Sequence, residues 1–137
     1  MKRIVLAGHG NFASGLYSSA KIILGEQNFV SCLDCYINQE QDVEKEISDI
    51  LDSFDENDEI ICLTDLFGGS VNNAFMKIIG TKDIKLITGT NLNLLICLIL
   101  NIELEFDELI QMSIKEAKSG LINCNLSEGI TIDDDNF

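Results

Sequence analysis

Hydrophobic runs rich in β-branched residues recur along the chain, and each is followed by a polar or glycine-rich turn and then by a helical pattern. This alternation predicts strands near Arg3 to Ala7, Phe29 to Ile37, Ile60 to Thr64 and Ile84 to Thr88. It predicts the intervening helices near Ala13 to Leu24, Gln41 to Phe54, Val71 to Ile79 and Leu92 to Leu100. Gly25 and Gly80 lie where a helix end favours a left-handed residue.

Strands and helices that alternate in this way favour an α/β fold: a doubly wound, mainly parallel four-stranded sheet with helices on both faces. A further helix is predicted from Asp107 to Lys118 and is ended by Gly120. Two short extended pieces follow, Leu121 to Cys124 and Gly129 to Ile132. We expect them either to add an antiparallel edge strand near the C-terminus or to reach a neighbouring subunit.

Length and composition predict one soluble domain. The chain has 137 residues, 46% of them apolar, which is enough for a single core, so we expect one domain over residues 1–137. The longest apolar stretch, Leu94 to Leu100, is far shorter than the ~20 residues that cross a bilayer. The apolar N-terminal run stops at Gly8, before it reaches the length of a secretory signal. These features predict a cytoplasmic protein.

The formal net charge of −14 makes the surface strongly negative. Nucleic acid and anionic lipid would be repelled by this surface, so the charge disfavours both as partners. A protein partner with a basic face is favoured instead. The acidic tail from Asp133 to Phe137 is interpreted as a solvated chain end.

The five cysteines form an odd set in a chain with no export signal, which favours free thiols. Cys32 and Cys35 match the C-x-x-C spacing, but they fall inside a predicted strand, whereas the redox motif belongs at a helix N-terminus. With one histidine and no second close cysteine pair, the sequence holds no ligand set for zinc. No metal and no cofactor are therefore expected.

The only histidine, His9, lies between Gly8 and Gly10 directly after the first predicted strand. The turn that follows a strand of a parallel sheet is where ligands and reactive groups are usually presented. Flanking glycines let the backbone turn sharply and let a large partner approach the imidazole. A lone histidine is more often a structural residue, but this placement favours a functional one.

The turn after the third predicted strand reads Asp65-Leu66-Phe67-Gly68-Gly69-Ser70. A glycine pair followed by a serine at a predicted N-cap is typical of a phosphate-holding turn, although it also occurs in ordinary loops. The fourth strand ends in Thr88-Gly89-Thr90-Asn91, which adds hydroxyl and amide groups. We expect the three turns to share the carboxyl edge of the sheet and to bring together His9, Asp65, Ser70 and Asn91.

These groups together suit a phosphoryl group carried on histidine. His9 supplies a nucleophilic nitrogen, and Asp65 can hold the other ring nitrogen and fix the tautomer. The oxygens of the phosphoryl group would be bound by N–H and hydroxyl donors, which we place at Gly10, Gly68, Gly69 and Ser70. Such a site requires neither metal nor nucleotide.

Four motifs, in this order, resemble those of the IIA components of the mannose-family sugar phosphotransferase system (PTS). They are Gly8-His9-Gly10-Asn11-Phe12-Ala13-Ser14-Gly15, Gly25-Glu26-Gln27, Asp65-Leu66-Phe67-Gly68-Gly69-Ser70 and Gly89-Thr90-Asn91-Leu92. The resemblance extends roughly from Lys2 to Lys118.

The resemblance implies a role for each part of the site. It implies that His9 accepts a phosphoryl group from HPr and passes it to a IIB component, which phosphorylates sugar entering through membrane IIC and IID components. It implies that Asp65 hydrogen-bonds His9 and that Ser70 lies in the phosphate-facing turn. It further implies a homodimer in which a C-terminal edge strand is exchanged.

Val71 and Asn93 depart from the family pattern, which usually has proline at both positions. Proline at the first helical position pre-organises a turn rather than taking part in chemistry, so its loss bears on loop rigidity. Two alternatives stay open. The phosphocarrier subunit of dihydroxyacetone kinase shares the fold but typically has serine where Gly10 stands, and a non-catalytic regulatory or interaction module would not need both His9 and Asp65.

Overall fold

The computed structural model describes residues 1–125 and contains a four-stranded parallel sheet with five helices. The strands are β1 (Lys2–His9), β2 (Val30–Cys35), β3 (Glu59–Thr64) and β4 (Ile84–Ile87), in the spatial order β2-β1-β3-β4. The helices are α1 (Phe12–Leu24), α2 (Val43–Asp52), α3 (Ser70–Met76), α4 (Leu92–Leu100) and α5 (Phe106–Ser119). The predicted α/β fold with a parallel sheet is confirmed.

Residues Met1–Leu92 form one compact unit, which holds the whole sheet with α1, α2 and α3. Successive side chains of a strand point to opposite faces of the sheet, so one face is built from alternate strand residues together with α2 and α3. That buried cluster consists of Val5, Ala7, Leu33, Cys35, Val43, Ile47, Leu51, Ile60, Cys62, Val71, Ala74, Phe75 and Ile84. Helix α1 contacts β1 and β2, and its buried residues Ala13 and Ala20 lie outside the cluster, as expected for a helix on the opposite face.

The second compact unit begins at Asn93 and contains most of α4 and all of α5. Within it, Asn93 lies against Gly120, where an added Cβ would collide with the Asn93 amide. The extended piece expected from Leu121 to Cys124 is not a strand: residues 121–125 form coil and a turn. The N–H of Leu121 donates to the carbonyl of Lys118 and so continues the end of α5. The piece expected from Gly129 to Ile132 and the acidic tail lie outside the described residues, and the single domain stays a prediction.

Three predicted boundaries were too wide, for identifiable reasons. Helix α2 begins at Val43 because the Asp42 carboxylate caps it by accepting the N–H of Lys45. Strand β2 ends at Cys35, since Tyr36 has a positive φ of 60° that no strand residue adopts. Helix α3 ends at Met76, so Gly80 is not its left-handed cap, and Gly80 is absent from the residues with positive φ.

The cysteines of the described chain are all free. Burial raises the pKa of both the Cys32 and the Cys35 thiol to about 11, which is the opposite of what an attacking redox thiol needs. Residues 1–125 contain no cluster of histidine, cysteine and acidic side chains suited to holding a metal ion. Over the same residues, no helix has both the length and the apolar composition to cross a membrane.

Candidate phosphoryl-transfer site

The site is built where β1 and β3 end beside each other. The two strands pair in parallel, with Ala7 opposite Thr64, so His9 and Asp65 emerge at the same edge of the sheet. On the other side of β1, His9 lies opposite Cys35, the last residue of β2. Sequence-distant turns therefore meet around one imidazole because the strands that precede them are neighbours and run in the same direction.

Asp65 holds His9 at two points. Its Oδ2 accepts the backbone N–H of His9 at 2.8 Å and lies 2.7 Å from the ring Nδ1. Since a carboxylate only accepts, the short contact to the ring makes Nδ1 the protonated nitrogen of the neutral imidazole. The Asp65 side chain is 12% exposed, whereas the His9 side chain is 45% exposed. The carboxylate is thus shielded while the ring it orients faces solvent.

The pKa of Asp65 reflects this arrangement. Burial alone raises the pKa of the carboxyl, but the hydrogen bonds from the backbone and ring of His9 stabilise the charged form and leave the pKa below its ordinary value. Asp65 is therefore ionised at neutral pH. A permanent negative charge next to Nδ1 stabilises any positive charge that the ring acquires.

Ser70 lies on the opposite side of the ring. Its Oγ is 3.1 Å from Nε2 of His9, where the hydroxyl can donate to the unprotonated nitrogen. The serine was predicted to be the N-cap of the following helix, but Gly69 occupies that position and Ser70 is the first residue of α3. The hydroxyl is therefore directed at the imidazole rather than used as a helix cap, for which no side-chain bond is formed.

The glycines predicted to bind phosphate contribute space and backbone conformation. The N–H of Gly10 donates to the carbonyl of Cys35 at 2.8 Å, and the N–H of Gly69 donates to that of Leu66 at 3.1 Å. Gly10 and Gly68 have φ values of +56° and +77°, which favour glycine. A Cβ on Gly69 would lie 3.5 Å from the His9 ring and 3.2 Å from the carbonyl oxygen of Leu66.

The turn after β4 is hydrogen-bonded to the residue that precedes Asp65. The N–H of Thr90 donates to the carbonyl of Thr64, the residue before Asp65, at 3.1 Å. The hydroxyl of Thr64 in turn donates to the buried side chain of Asn72 in α3, at 2.7 Å. These bonds tie the ends of β3 and β4 to the helix that carries Ser70.

Asn91, which we expected near the histidine, lies in this turn. The described side-chain contacts of His9 are with Asp65, Ser70 and Tyr36.

Tyr36 is a site residue that the sequence reasoning missed. Its ring centroid lies 5.4 Å from that of His9, with the two ring planes inclined by 32°. The sequence pattern predicts a strand that continues to Ile37, whereas β2 ends at Cys35, so Tyr36 lies at the carboxyl edge next to β1. The signal in the sequence is an aromatic residue directly after a buried strand that neighbours the histidine strand.

The family model described as the PTS system fructose IIA component, of the mannose type, matches residues 3–117. The chain belongs to this PTS IIA family. The match spans both compact units, and it includes every residue of the site described above.

Individual relatives agree with the family assignment. The mannose-specific EIIAB component of Escherichia coli (strain K12) is 30% identical over an alignment of 123 residues that covers 86% of this chain and 38% of that protein. The chain thus spans little more than a third of that curated relative.

Solved structures agree as well. The crystal structure of PTS component EIIA from Streptococcus agalactiae is 29% identical, with a TM-score of 0.80 over 90% of this chain and 97% of that one. A Klebsiella pneumoniae structure assigned to a sugar PTS permease is 34% identical, with a TM-score of 0.86 over 91% and 92% of the two chains.

Proposed function

We propose that this IIA component is a phosphoryl carrier that accepts a phosphoryl group from phospho-HPr on His9 and passes it to a IIB component during sugar uptake. The observation that carries the proposal is an imidazole with a carboxylate at one nitrogen, a hydroxyl at the other, and nearly half of its side chain exposed. A ring oriented at Nδ1 and open at Nε2 suits transfer between two proteins.

The tautomer selects the nucleophile. With the proton on Nδ1 and bonded to Asp65, the ring lone pair lies on Nε2. In the proposed step this lone pair attacks the phosphorus atom, the bond between phosphorus and the donor atom breaks, and its electron pair leaves on the donor. The ring becomes positively charged, and Asp65 stabilises that charge. Transfer to the IIB component is the same step in reverse with a different acceptor, and it returns His9 to the neutral ring.

Donors around Nε2 suit the oxygens of the transferred group. The Ser70 hydroxyl can turn from Nε2 to a phosphoryl oxygen when the nitrogen becomes bonded to phosphorus. The first turn of α3 begins at the same residue, and its N–H groups have no acceptor within the helix. Donors placed where negative charge develops lower the barrier to transfer.

The surroundings of His9 suit a protein partner. Leu66 and Phe67, which directly follow Asp65, are exposed, Phe67 by 79%. Exposed apolar side chains next to a reactive group are typical of an interaction surface. Together with the net charge of −14, they favour a donor that presents an apolar surface with basic residues around it. The membrane IIC and IID components would be reached only through the IIB component.

Phosphorylation in vitro tests the proposal. The protein is incubated with phosphoenolpyruvate, enzyme I and HPr, and its mass is measured intact and after proteolysis. We expect one phosphoryl group on His9, labile in acid and stable in base, and none on His9→Gln. A phosphoryl group on serine would contradict the proposal. An unmodified protein beside fully phosphorylated HPr would favour a non-catalytic module of the same fold.

A further inference from the structure

Tyr36 adopts a backbone conformation that is costly for its residue type. Its φ is +60°, and it is the one non-glycine residue with positive φ within residues 1–125. A bulky side chain in this region persists only where the surrounding structure imposes it, and such residues cluster at functional sites. β2 ends at the preceding residue, Cys35, whose carbonyl accepts the N–H of Gly10. The strained residue therefore directly follows the point where β2 is tied to the histidine turn.

The side chain of Gln41 holds the backbone on both sides of Tyr36. Its Oε1 accepts the N–H of Ile37 at 3.1 Å, and its Nε2 donates to the carbonyl of Asp34 at 2.7 Å. Nε2 also donates to the Glu46 carboxylate at 2.6 Å, which fixes the amide from the first turns of α2. One amide thus bridges the backbone two residues before Tyr36 and one residue after it. We call these three bonds the Gln41 bridge.

Burial does not explain where the Tyr36 ring lies. The residue is 48% exposed, so the strain is not offset by packing of the ring in the core. The ring instead lies beside the imidazole, at a centroid distance of 5.4 Å and an inclination of 32°. Aromatic pairs attract each other at centroid separations of roughly 4.5 to 7 Å. The strained turn thus brings the Tyr36 ring into contact with His9.

The two hydrogen bonds of the ring restrain its tilt less than its position. Nδ1 and Nε2 flank Cε1 on one edge of the imidazole, so bonds to Asp65 and Ser70 hold that edge and leave the inclination of the ring plane to other contacts. A second ring against the imidazole restricts that tilt. The direction of the Nε2 lone pair depends on it, and an error of this kind is costly in a transfer reaction.

We propose that Tyr36 is a positioning residue for His9, and that the Gln41 bridge holds its ring against the imidazole. The kinetic part of this inference rests on the proposed function, whereas the structural part does not. The nitrogens of the ring bond to Asp65 and Ser70, so the effect of Tyr36 is on the orientation of His9 and not on the chemistry itself.

Three substitutions separate the ring from the strain. Tyr36→Phe keeps the ring and is expected to transfer phosphoryl groups at the wild-type rate. Tyr36→Leu and Tyr36→Gly remove the ring and are expected to slow transfer by about tenfold, the upper size of an aromatic pair contact. Tyr36→Gly also removes the strain, so its melting temperature should equal or exceed that of the wild type. A purely structural tyrosine would instead give a lower melting temperature for Tyr36→Gly and wild-type rates for all three.

Gln41→Ala tests the bridge with the ring still present. It should slow transfer as Tyr36→Leu does, and the double variant should be no slower than either single one, because both changes remove the same contact. Gln39→Ala, an exposed glutamine in the same loop, is the matched control and should transfer normally. Additive losses in the double variant would overturn the role of the bridge.

The ring ¹⁵N shifts of His9 provide a readout that needs no phosphoryl donor. We expect the His9 ring shifts to match in wild type and Tyr36→Phe and to change in Tyr36→Leu and Gln41→Ala, while the Nδ1–H tautomer is retained in all four because Asp65 still holds Nδ1. A wild type that is not phosphorylated would contradict the proposed function and leave this comparison intact. Identical ¹⁵N shifts in all four proteins would overturn the positioning role, even if phosphorylation succeeds.

Discussion

One oxygen of Asp65 holds both the backbone and the ring of His9: Oδ2 is 2.8 Å from the backbone nitrogen and 2.7 Å from Nδ1. The backbone bond fixes where the carboxylate lies, so the ring bond adds orientation at little further loss of side-chain freedom. The same pair of bonds lowers the pKa of Asp65. The orientation of the His9 ring and the ionised state of Asp65 therefore depend on the same two hydrogen bonds.

Asp65→Asn should slow phosphoryl transfer far more than it destabilises the protein. The amide has the shape of the carboxylate, but it lacks the charge that stabilises a positive ring, and its NH₂ can favour the wrong tautomer. We expect a loss of about a hundredfold in the rate of transfer from phospho-HPr, or roughly 3 kcal/mol. The rate and the melting temperature are measured together.

Asp58→Asn is the matched control for this substitution. Asp58 lies before β3, at the other end of the strand, and its Oδ2 accepts from Nε of Arg3 at 3.1 Å. Its replacement should lower the melting temperature and leave the transfer rate unchanged. A wild-type rate for Asp65→Asn would remove Asp65 from the mechanism and reduce it to a structural acceptor.

The lowered pKa of Asp65 predicts a pH dependence of stability. Between its folded pKa and the ordinary value of 3.8, the unfolded chain binds more protons than the folded one, so stability falls as the pH falls. The contribution is complete above the ordinary value and is lost through the folded pKa. We expect the melting temperature of the wild type to approach that of Asp65→Asn as the pH drops below about 4. A constant difference down to strongly acidic pH would contradict the assigned cause.

Ser70→Ala should slow transfer moderately and leave the fold unchanged. The Ser70 side chain does not cap α3, so its truncation should not destabilise that helix. The substitution removes the hydroxyl beside Nε2 of His9. A neutral donor to a charged oxygen contributes about 1.5 to 3 kcal/mol, which corresponds to a rate loss of roughly ten- to a hundredfold. Ser18→Ala, whose hydroxyl donates to the carbonyl of Gly15 within its own helix, should transfer at the wild-type rate. Equal rates for the two variants would exclude a role for Ser70.

The meeting of His9, Asp65 and Ser70 could be predicted from the chain because it depends only on the order and direction of strands. Apolar runs that alternate with helical patterns imply a parallel sheet, and a parallel sheet brings the ends of its strands to one edge. The one assumption is that the first and third strands are neighbours, which the observed order β2-β1-β3-β4 satisfies.

The position of Tyr36 could not be predicted in the same way. A run of extended residue types gives no reason to end β2 at Cys35, since the turn there depends on a glutamine six residues further on. Similarly, Ser70 can be placed at this edge of the sheet, but nothing local indicates that its hydroxyl contacts a ring 61 residues away instead of capping its helix. Both features depend on tertiary hydrogen bonds, which local sequence patterns do not reveal.

A homodimer is expected in solution. The strands β2 and β4 form the two edges of the described sheet, and unpaired edges tend to be covered in folded proteins. Light scattering across micromolar concentrations should give twice the mass of the chain. A monomer over the whole range would rule out the exchange of C-terminal segments that the family resemblance implies.

Gly69→Ala should slow phosphoryl transfer because of the space it fills. The backbone at Gly69 has a φ of −70°, which alanine adopts without strain, so the fold should be retained. The new methyl group would lie 3.2 Å from the Leu66 carbonyl oxygen and 3.5 Å from Cε1 of His9. The first contact displaces the turn by a few tenths of an ångström, and the second narrows the space beside Nε2 that an incoming phosphoryl group needs. A displacement of this kind costs up to a hundredfold in rate when it reaches a reacting group, and we expect about tenfold here.

Gly15→Ala is the matched control for Gly69→Ala, since a methyl group there meets nothing within 4 Å and lies inside α1. It should raise the stability by about 0.5 to 1 kcal/mol and leave the rate unchanged. Wild-type transfer by Gly69→Ala would mean that the group enters from another side of the ring.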